Sequence, residues 1–474
     1  MSTREIIMKN LFKNYVYTAT YQLLLLILPV ITLPYVSRVL LPTGIGINAW
    51  VSSVNSYFVM FAVLGLTVYA QREIATQREN KLKMSHTFWK IEFASVLMGT
   101  ISLLVYLSFV IFYEKYTFFL IAYSLSILAV IFDVSWLFSG MEQFKILAIR
   151  NIIVKLLAVL FIFIFVKSTD DLLLYMLIQS GSILISNISL WPAAMKIVGR
   201  PTKVRLSEIF EQIRGSFQLF IPQISVSIYL TLNKIILGIF STKEQVGFFD
   251  SSDKIIRMIF SLFVAVSTVV MPRVANMYVN KKFSNIQNLL KIVMSITLVV
   301  LFPLIFCLYL FSPIIINVLF GPRYINMIEI LRLMTIVLPA LAIANIMGNQ
   351  ILVPLQMIKQ YTLSIVYGSL INLIIEIPLI ILFKSIGATI AVICAESIVT
   401  GFQIKYSRGI LNLHSVFTPA KRIIITGGLL IVLAILLSFT NLSFLNLIWI
   451  SFVLLFLYSI LNYKIIKYML KIEK

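Results

Sequence analysis

The sequence predicts an all-α integral membrane protein of about 14 transmembrane helices, arranged as two pseudo-symmetric six-helix bundles plus two extra C-terminal helices. Three observations predict it. Of the 474 residues 60% are hydrophobic, with a mean hydropathy of +1.00, against roughly 45–50% apolar residues in soluble domains. Apolar runs of about 20 residues, the length a helix needs to cross hydrocarbon, recur along the whole chain. The 39 Lys and Arg residues punctuate those runs. The net charge of +21 is therefore no nucleic-acid-binding signature, which would gather the basic residues into one domain or face.

Taken in order, Arg4, Lys9 and Lys13 precede an apolar run from about Asn14 to Val36 that lacks a small-residue cleavage pattern, so it reads as a retained first span. Further spans are expected at about 45–71, 88–113, 116–138, 146–166 and 172–195. A second set follows at about 215–240, 247–272, 291–312, 326–353, 362–383 and 387–407, with two more near 423–440 and 443–463. The domain organisation that follows is a first bundle over 1–196, a linker over 197–214, a second bundle over 215–411, and the last two spans with a basic tail over 412–474. The linker is polar but sets Leu206, Ile209, Phe210 and Ile213 at helical spacing, the pattern of an amphipathic helix on the membrane surface.

With the amino terminus inside, outward loops carry about six basic residues, Arg38, Lys115, Lys167, Lys243, Arg323 and Lys384, and inward segments roughly 28. That asymmetry predicts a cytoplasmic-membrane protein with both termini cytoplasmic, the carboxyl end carrying Lys464, Lys467, Lys471 and Lys474. Shifting the sequence on itself by about 201 positions superposes Arg4 on Arg205, Gln22 on Gln223, Gly46 on Gly247 and Arg72 on Arg273. The offset crosses an even number of spans, so the halves form a parallel repeat with a cleft expected between two similar bundles.

Chemistry-bearing residues are few. Cys307 and Cys394 both lie in apolar segments, so neither a disulfide nor a metal site is indicated, and His86 and His414 read as solvated residues of connecting loops. No phosphate-cradling glycine loop, nucleophile triad or metal-spaced cluster appears, and no cofactor is indicated. The expectation is a protein that is not an enzyme.

The eighth span holds the sharpest feature. Asp250, Asp253, Lys254 and Arg257 fall at i, i+3, i+4 and i+7, on one helix face. A charge at mid-bilayer costs roughly 2.5–3.5 kcal/mol, so four of them imply a wet or protein-lined surrounding. Two readings stand: the i,i+4 pairs Asp250–Lys254 and Asp253–Arg257 are structural, or the two cations present donors to an anionic group in a central cavity. Lys155, near the middle of the fifth span, is a second cavity candidate, or pairs with Asp133 or Glu396. Lys234 lies in the outer third of the seventh span, within snorkelling reach of the interface. Asp133, Glu376 and Glu396, acids in apolar surroundings, are candidate proton or cation sites.

Leu28 to Ala75, LPVITLPYVSRVLLPTGIGINAWVSSVNSYFVMFAVLGLTVYAQREIA, resembles the amino-terminal signature of bacterial oligosaccharide-lipid flippases, the Wzx-type capsule and O-antigen repeat-unit transporters. NKIILGIFSTKEQVGFFDSSDKII from Asn233, LFGPRYINMIEILRLM from Leu319, GNQILVPL and IGATIAVICAESI carry the resemblance on in the expected order. That family belongs with the multidrug and toxin extrusion antiporters and the lipid II flippase. The chain departs from its relatives at Asn233, where many carry an aspartate, which sets this position against ion coupling. The first span offers Asn14, Tyr15 and Gln22 after Lys13 where the lipid II branch places arginines.

The resemblance implies a V-shaped pair of bundles that opens alternately to each side. Its cargo is an undecaprenyl-pyrophosphate-linked oligosaccharide, and its partners are membrane lipid and polysaccharide polymerase and chain-length machinery. Basic donors inside the membrane suit such an anionic headgroup. Two competitors are weighed against this. A cation-coupled multidrug antiporter of the same fold needs a pocket for cationic drugs, which Lys254 and Arg257 disfavour; a membrane polysaccharide polymerase needs reacting groups on a long outer loop, and every outer loop here is short.

Overall fold

A computed structural model describes the backbone of residues 3–409, 411–440 and 442–472, with side chains described throughout except at 3–23, 25, 26, 218, 219, 221–230, 464, 466 and 468–472. The side chains of Arg4, Lys9, Lys13, Gln22, Gln223 and Lys464 therefore lie outside the described residues, as do Lys471 and Lys474. All the described secondary structure is helical, and ten helices are long and apolar enough to cross a membrane. Two of these, Ile27–Gln77 and Ile358–Ser407, are about twice the length one crossing needs, and two shorter apolar helices, Thr117–Ile131 and Thr231–Phe240, lie where further spans are expected. Large side chains such as Phe112, 87% exposed, and Leu436, 59% exposed, turn outward in the way lipid-facing surfaces require.

The chain divides into two compact units, Met1–Gly238 and Ile239–Lys474. The sequence places a boundary in the 197–214 linker; the compact division falls later, in the last turn of the helix Leu206–Phe240 that begins within that linker.

The first unit contains α1 (Thr3–Val63), α2 (Leu66–Gln77), α3 (Lys81–Tyr113), α4 (Thr117–Ile131), α5 (Ser135–Gly140), α6 (Phe144–Phe165), α7 (Leu172–Ile188), α8 (Trp191–Val198) and α9 (Leu206–Phe240). Within α1 the backbone breaks at Leu41 (φ 61°, ψ 171°), directly before Pro42, which has no N–H to give and disfavours helical geometry in the residue before it. A second left-handed step, Leu64–Gly65, separates α1 from α2. At one end of the unit Phe88, Trp89, Trp136, Leu137 and Phe138 form a buried aromatic core that Trp191 caps. Gly140 lets α5 approach α2, because a Cβ there would lie 2.8 Å from the Gln71 carbonyl and from Ile74.

The second unit contains α10 (Lys243–Val279), α11 (Phe283–Leu310), α12 (Ser312–Leu319), α13 (Met327–Met334), α14 (Val337–Met347), α15 (Ile358–Ser407), α16 (Leu413–Ser438) and α17 (Phe444–Ile472). α15 breaks at Lys384 (φ 54°, ψ −127°), and Gly387 makes the reversal possible, since a Cβ there would fall 2.0 Å from the Leu379 carbonyl oxygen. α11 and α16 pack with Phe302 seated over Gly427. The Leu41 break and Thr242, the N-cap of α10, stand at the repeat offset from each other, so both copies interrupt their helix at the same place.

Candidate functional site

The four-residue stripe forms as the i,i+4 spacing requires, because α10 runs unbroken through it. Lys254 Nζ lies 2.6 Å from Asp250 Oδ2, and Arg257 Nε lies 2.8 Å from Asp253 Oδ1 and 2.9 Å from Asp253 Oδ2. The pairs are not symmetrical in their surroundings. Asp250 and Asp253 side chains are 2% and 12% exposed, whereas Lys254 and Arg257 are 43% and 34% exposed. α10 buries Val246, Phe248, Phe249, Ile255 and Ile256 alongside the acids, against α13 to α15. The carboxylates are thus fixed inside the second unit and hold the cations at its surface. The Arg257–Asp253 contact is a charge-assisted hydrogen bond, roughly twice as strong as a neutral one, and the Lys254–Asp250 contact is an ion pair.

The other predicted residues lie on elements other than α10. Lys155 is exposed on α6, beside Ile153, Leu156 and Leu157. Asp133 is half-buried between α4 and α5, where its Oδ1 accepts the Ser135 N–H at 3.0 Å as a local turn cap. Glu376 and Glu396 are both buried, but on opposite sides of the Lys384 break in α15. Lys234 is half-buried beside buried Asn233 in the last turns of α9.

Three features escaped the sequence reading. Glu92 on α3 is 2% exposed, and neither carboxyl oxygen has a hydrogen-bond partner among the described residues. In the second unit, a single π-helical turn, Gly348–Leu352, presents Gln350 and Asn349 to an amide network. Ser267 Oγ accepts from Asn345 Nδ2 and from Gln350 Nε2, each at 2.7 Å, and Asn349 Nδ2 donates to Asn345 Oδ1 at 2.8 Å. Such turns concentrate at functional sites. In the first unit, Tyr123 OH lies 2.8 Å from Asn48 Oδ1 and 3.1 Å from Gln179 Oε1, and Asn55 Nδ2 donates to the Tyr123 carbonyl at 3.0 Å. Each unit therefore has a polar interior within an apolar shell.

His86 also differs from expectation. It lies in α3, not in a solvated loop, with Nδ1 3.1 Å from Thr202 Oγ1 and Nε2 3.2 Å from Glu208 Oε1. Its sequence neighbourhood is basic and polar, which hides the fact that the linker folds back over it.

Comparison with known proteins places these features in context. The chain is 27% identical over 409 residues to a protein of Escherichia coli (strain K12) named "Putative O-antigen transporter", covering 84% of this chain and 97% of the relative. A protein of the same name from Shigella dysenteriae is 23% identical over 392 residues, covering 80% and 95%. Among solved structures, the lipid II flippase MurJ in an inward closed conformation superposes with a TM-score of 0.73 at 15% identity, over 96% of this chain and all of that one. An inward-facing multidrug resistance MATE family transporter of the MOP superfamily superposes with a TM-score of 0.58 at 13% identity, over 81% and 97%. The fold is thus that of the MurJ and MATE transporters. Residues 11–278, more than half of the chain, match the polysaccharide biosynthesis protein family, and the chain belongs to that family.

Proposed function

We propose that this protein is a flippase that moves undecaprenyl-pyrophosphate-linked oligosaccharide repeat units across the bacterial cytoplasmic membrane, for O-antigen, capsule or a related surface polysaccharide. The observation that carries the reading is the α10 stripe, in which buried Asp250 and Asp253 hold Lys254 and Arg257 at the surface of their unit. A diphosphate needs such donors. Its transfer through hydrocarbon is costly because every charged oxygen gives up water, and donors already oriented in a wet path replace that water at each stage. Family membership and the O-antigen transporter relatives support the same cargo class.

In this reading the protein performs transport without covalent chemistry, by alternating access, with both termini cytoplasmic and with polymerase and chain-length proteins as downstream partners. Its organisation is two bundles, 1–196 and 215–411, joined by the 197–214 linker and followed by 412–474. Lys155 and Lys234 are further cargo contacts, and Asp133, Glu376 and Glu396 are the residues assigned to ion coupling.

The experiment is complementation of a strain lacking the gene, scored by surface polysaccharide and by accumulation of lipid-linked repeat units inside. Wild type restores export. The double variants Asp250→Asn/Lys254→Gln and Asp253→Asn/Arg257→Gln, each neutral as a pair, reduce it by at least about tenfold, the loss of one charge-assisted contact, at unchanged protein abundance. Normal export by both double variants removes the cations from the mechanism, and a deletion strain whose only defect is drug sensitivity replaces the cargo.

A further inference from the structure

The first unit contains a cationic site of its own. A pocket of about 540 Å³ lies against the first turns of α3, and Lys83, His86 and Lys90 line it together with the neutral polar residues Asn80 and Thr76. The spacing i, i+3, i+7 puts the three basic residues on one face of the helix. Glu79 is the one acid of the lining.

An oxyanion already bears on this face. The linker folds back so that Ser85 Oγ donates to the Val198 carbonyl, and Glu208 brings its carboxylate to His86 Nε2 at 3.2 Å and Lys90 Nζ at 3.8 Å. The Arg205 N–H donates to Glu208 Oε2 at 3.0 Å, and this bond with the His86 contact holds the Glu208 carboxyl below the usual carboxylate range. The cationic face therefore selects a carboxylate, but incompletely. At 3.8 Å Glu208 is an ion partner of Lys90 beyond hydrogen-bond reach, and Lys83 has no ion pair among the described residues. Both ammonium groups keep donors for a larger, more highly charged anion. Leu82, next to Lys83 on α3, is 84% exposed, and Leu206 and Phe210, two residues either side of Glu208 on the linker helix, are exposed as well. Exposed apolar side chains beside a basic pocket are the pattern of a membrane interface, where phosphates sit at the same depth.

We propose that this pocket binds the phosphate or diphosphate group of an anionic ligand, in competition with the Glu208 carboxylate. A bound phosphate takes over His86 and Lys90, adds Lys83, and frees Glu208 with the linker segment it anchors. The phosphate belongs either to a lipid headgroup or to a soluble anion, and the chemistry of the pocket is the same for both.

The test uses purified full-length protein in phosphatidylcholine nanodiscs, titrated with inorganic diphosphate in a calorimeter. Wild type shows saturable binding. Lys83→Gln and Lys90→Gln each weaken it by about tenfold or more, the loss of one charge-assisted hydrogen bond. Glu208→Gln tightens it by up to about fivefold, the worth of a partly exposed ion pair, and a misfolded variant cannot produce a gain. Nanodiscs that also contain phosphatidylglycerol separate the sources: a lipid phosphate in the pocket lowers diphosphate affinity as its content rises, whereas a site for soluble anions is indifferent to it. Unchanged binding in the Lys83/Lys90 double variant, or no gain with Glu208→Gln, overturns the proposal. So does absence of diphosphate binding in both lipid compositions. The titrations are run in parallel in the Lys254→Gln/Arg257→Gln background, where the α10 stripe no longer offers its cations, so failure here leaves the flippase reading standing and the reverse also holds.

Discussion

At the scale of the residue, the α10 stripe separates two roles that i,i+4 spacing alone leaves merged. The carboxylates are enclosed and the cations are not, so the same pairing that neutralises charge also aims it. Removing one member of a buried pair strands the other, at a cost of about 3–5 kcal/mol, whereas neutralising both at constant shape is often tolerated. Lys254→Ala, which strands the buried Asp250, is therefore expected to lower thermal stability in detergent sharply, and Asp250→Asn with Lys254→Gln to leave it near wild type while export fails. A double variant that is stable and exports normally makes the pair structural only. The stripe was legible in the sequence because charge inside an apolar run stands out against its surroundings. Glu92 was not: it follows Lys90 at the end of a span, where a charge reads as solvated, and only the folded core of Phe88, Trp89 and Trp136 encloses it. His86 was hidden in the same way by the residues around it.

At the scale of the element, the apolar periodicity fixed where helices lie, since each must satisfy its own backbone inside lipid. Their interruptions were less readable. Pro42 announces the break at Leu41, but Lys384 turns left-handed with no proline beside it, and its cause is the backbone approach at Gly387. The π-turn and its amide network left no trace in the sequence, because Ser267, Asn345 and Gln350 come together only across helices. Helix packing carries its own prediction. A Cβ on Gly427 would lie 2.2–2.6 Å from the Phe302 ring, so Gly427→Val forces α16 away from α11. The expected loss is about 1–3 kcal/mol, seen as a lower unfolding temperature in detergent, with Gly428→Val as the control because nothing lies within 4 Å of its Cβ position. Equal effects at the two glycines count against this packing.

At the scale of the whole molecule, the repeat and the charge asymmetry are statements about sidedness. Arg72 and Arg273 are both exposed and occupy equivalent positions in the two copies. A parallel repeat puts them on the same side of the membrane, and an inverted one on opposite sides. After Cys307 and Cys394 are replaced by Ala, Arg72→Cys and Arg273→Cys are expected to resist a membrane-impermeant thiol reagent in intact cells, while Lys384→Cys reacts. Reaction of just one of the two arginine-site cysteines breaks the repeat. The repeat itself was visible from a few superposed residues, and the helix breaks at Leu41 and Thr242 add a match that residue identity does not contain.

The self-paired stripe of α10 also bears on biogenesis. Four lone charges would burden a nascent segment by roughly 10–14 kcal/mol at the bilayer centre, enough to keep it from leaving the translocation channel sideways. Because every Asp of the stripe finds its counter-ion one turn away on the same helix, the segment enters lipid as a net-neutral rod. It can be admitted in the order of synthesis, before the helices that later enclose its acids have been made.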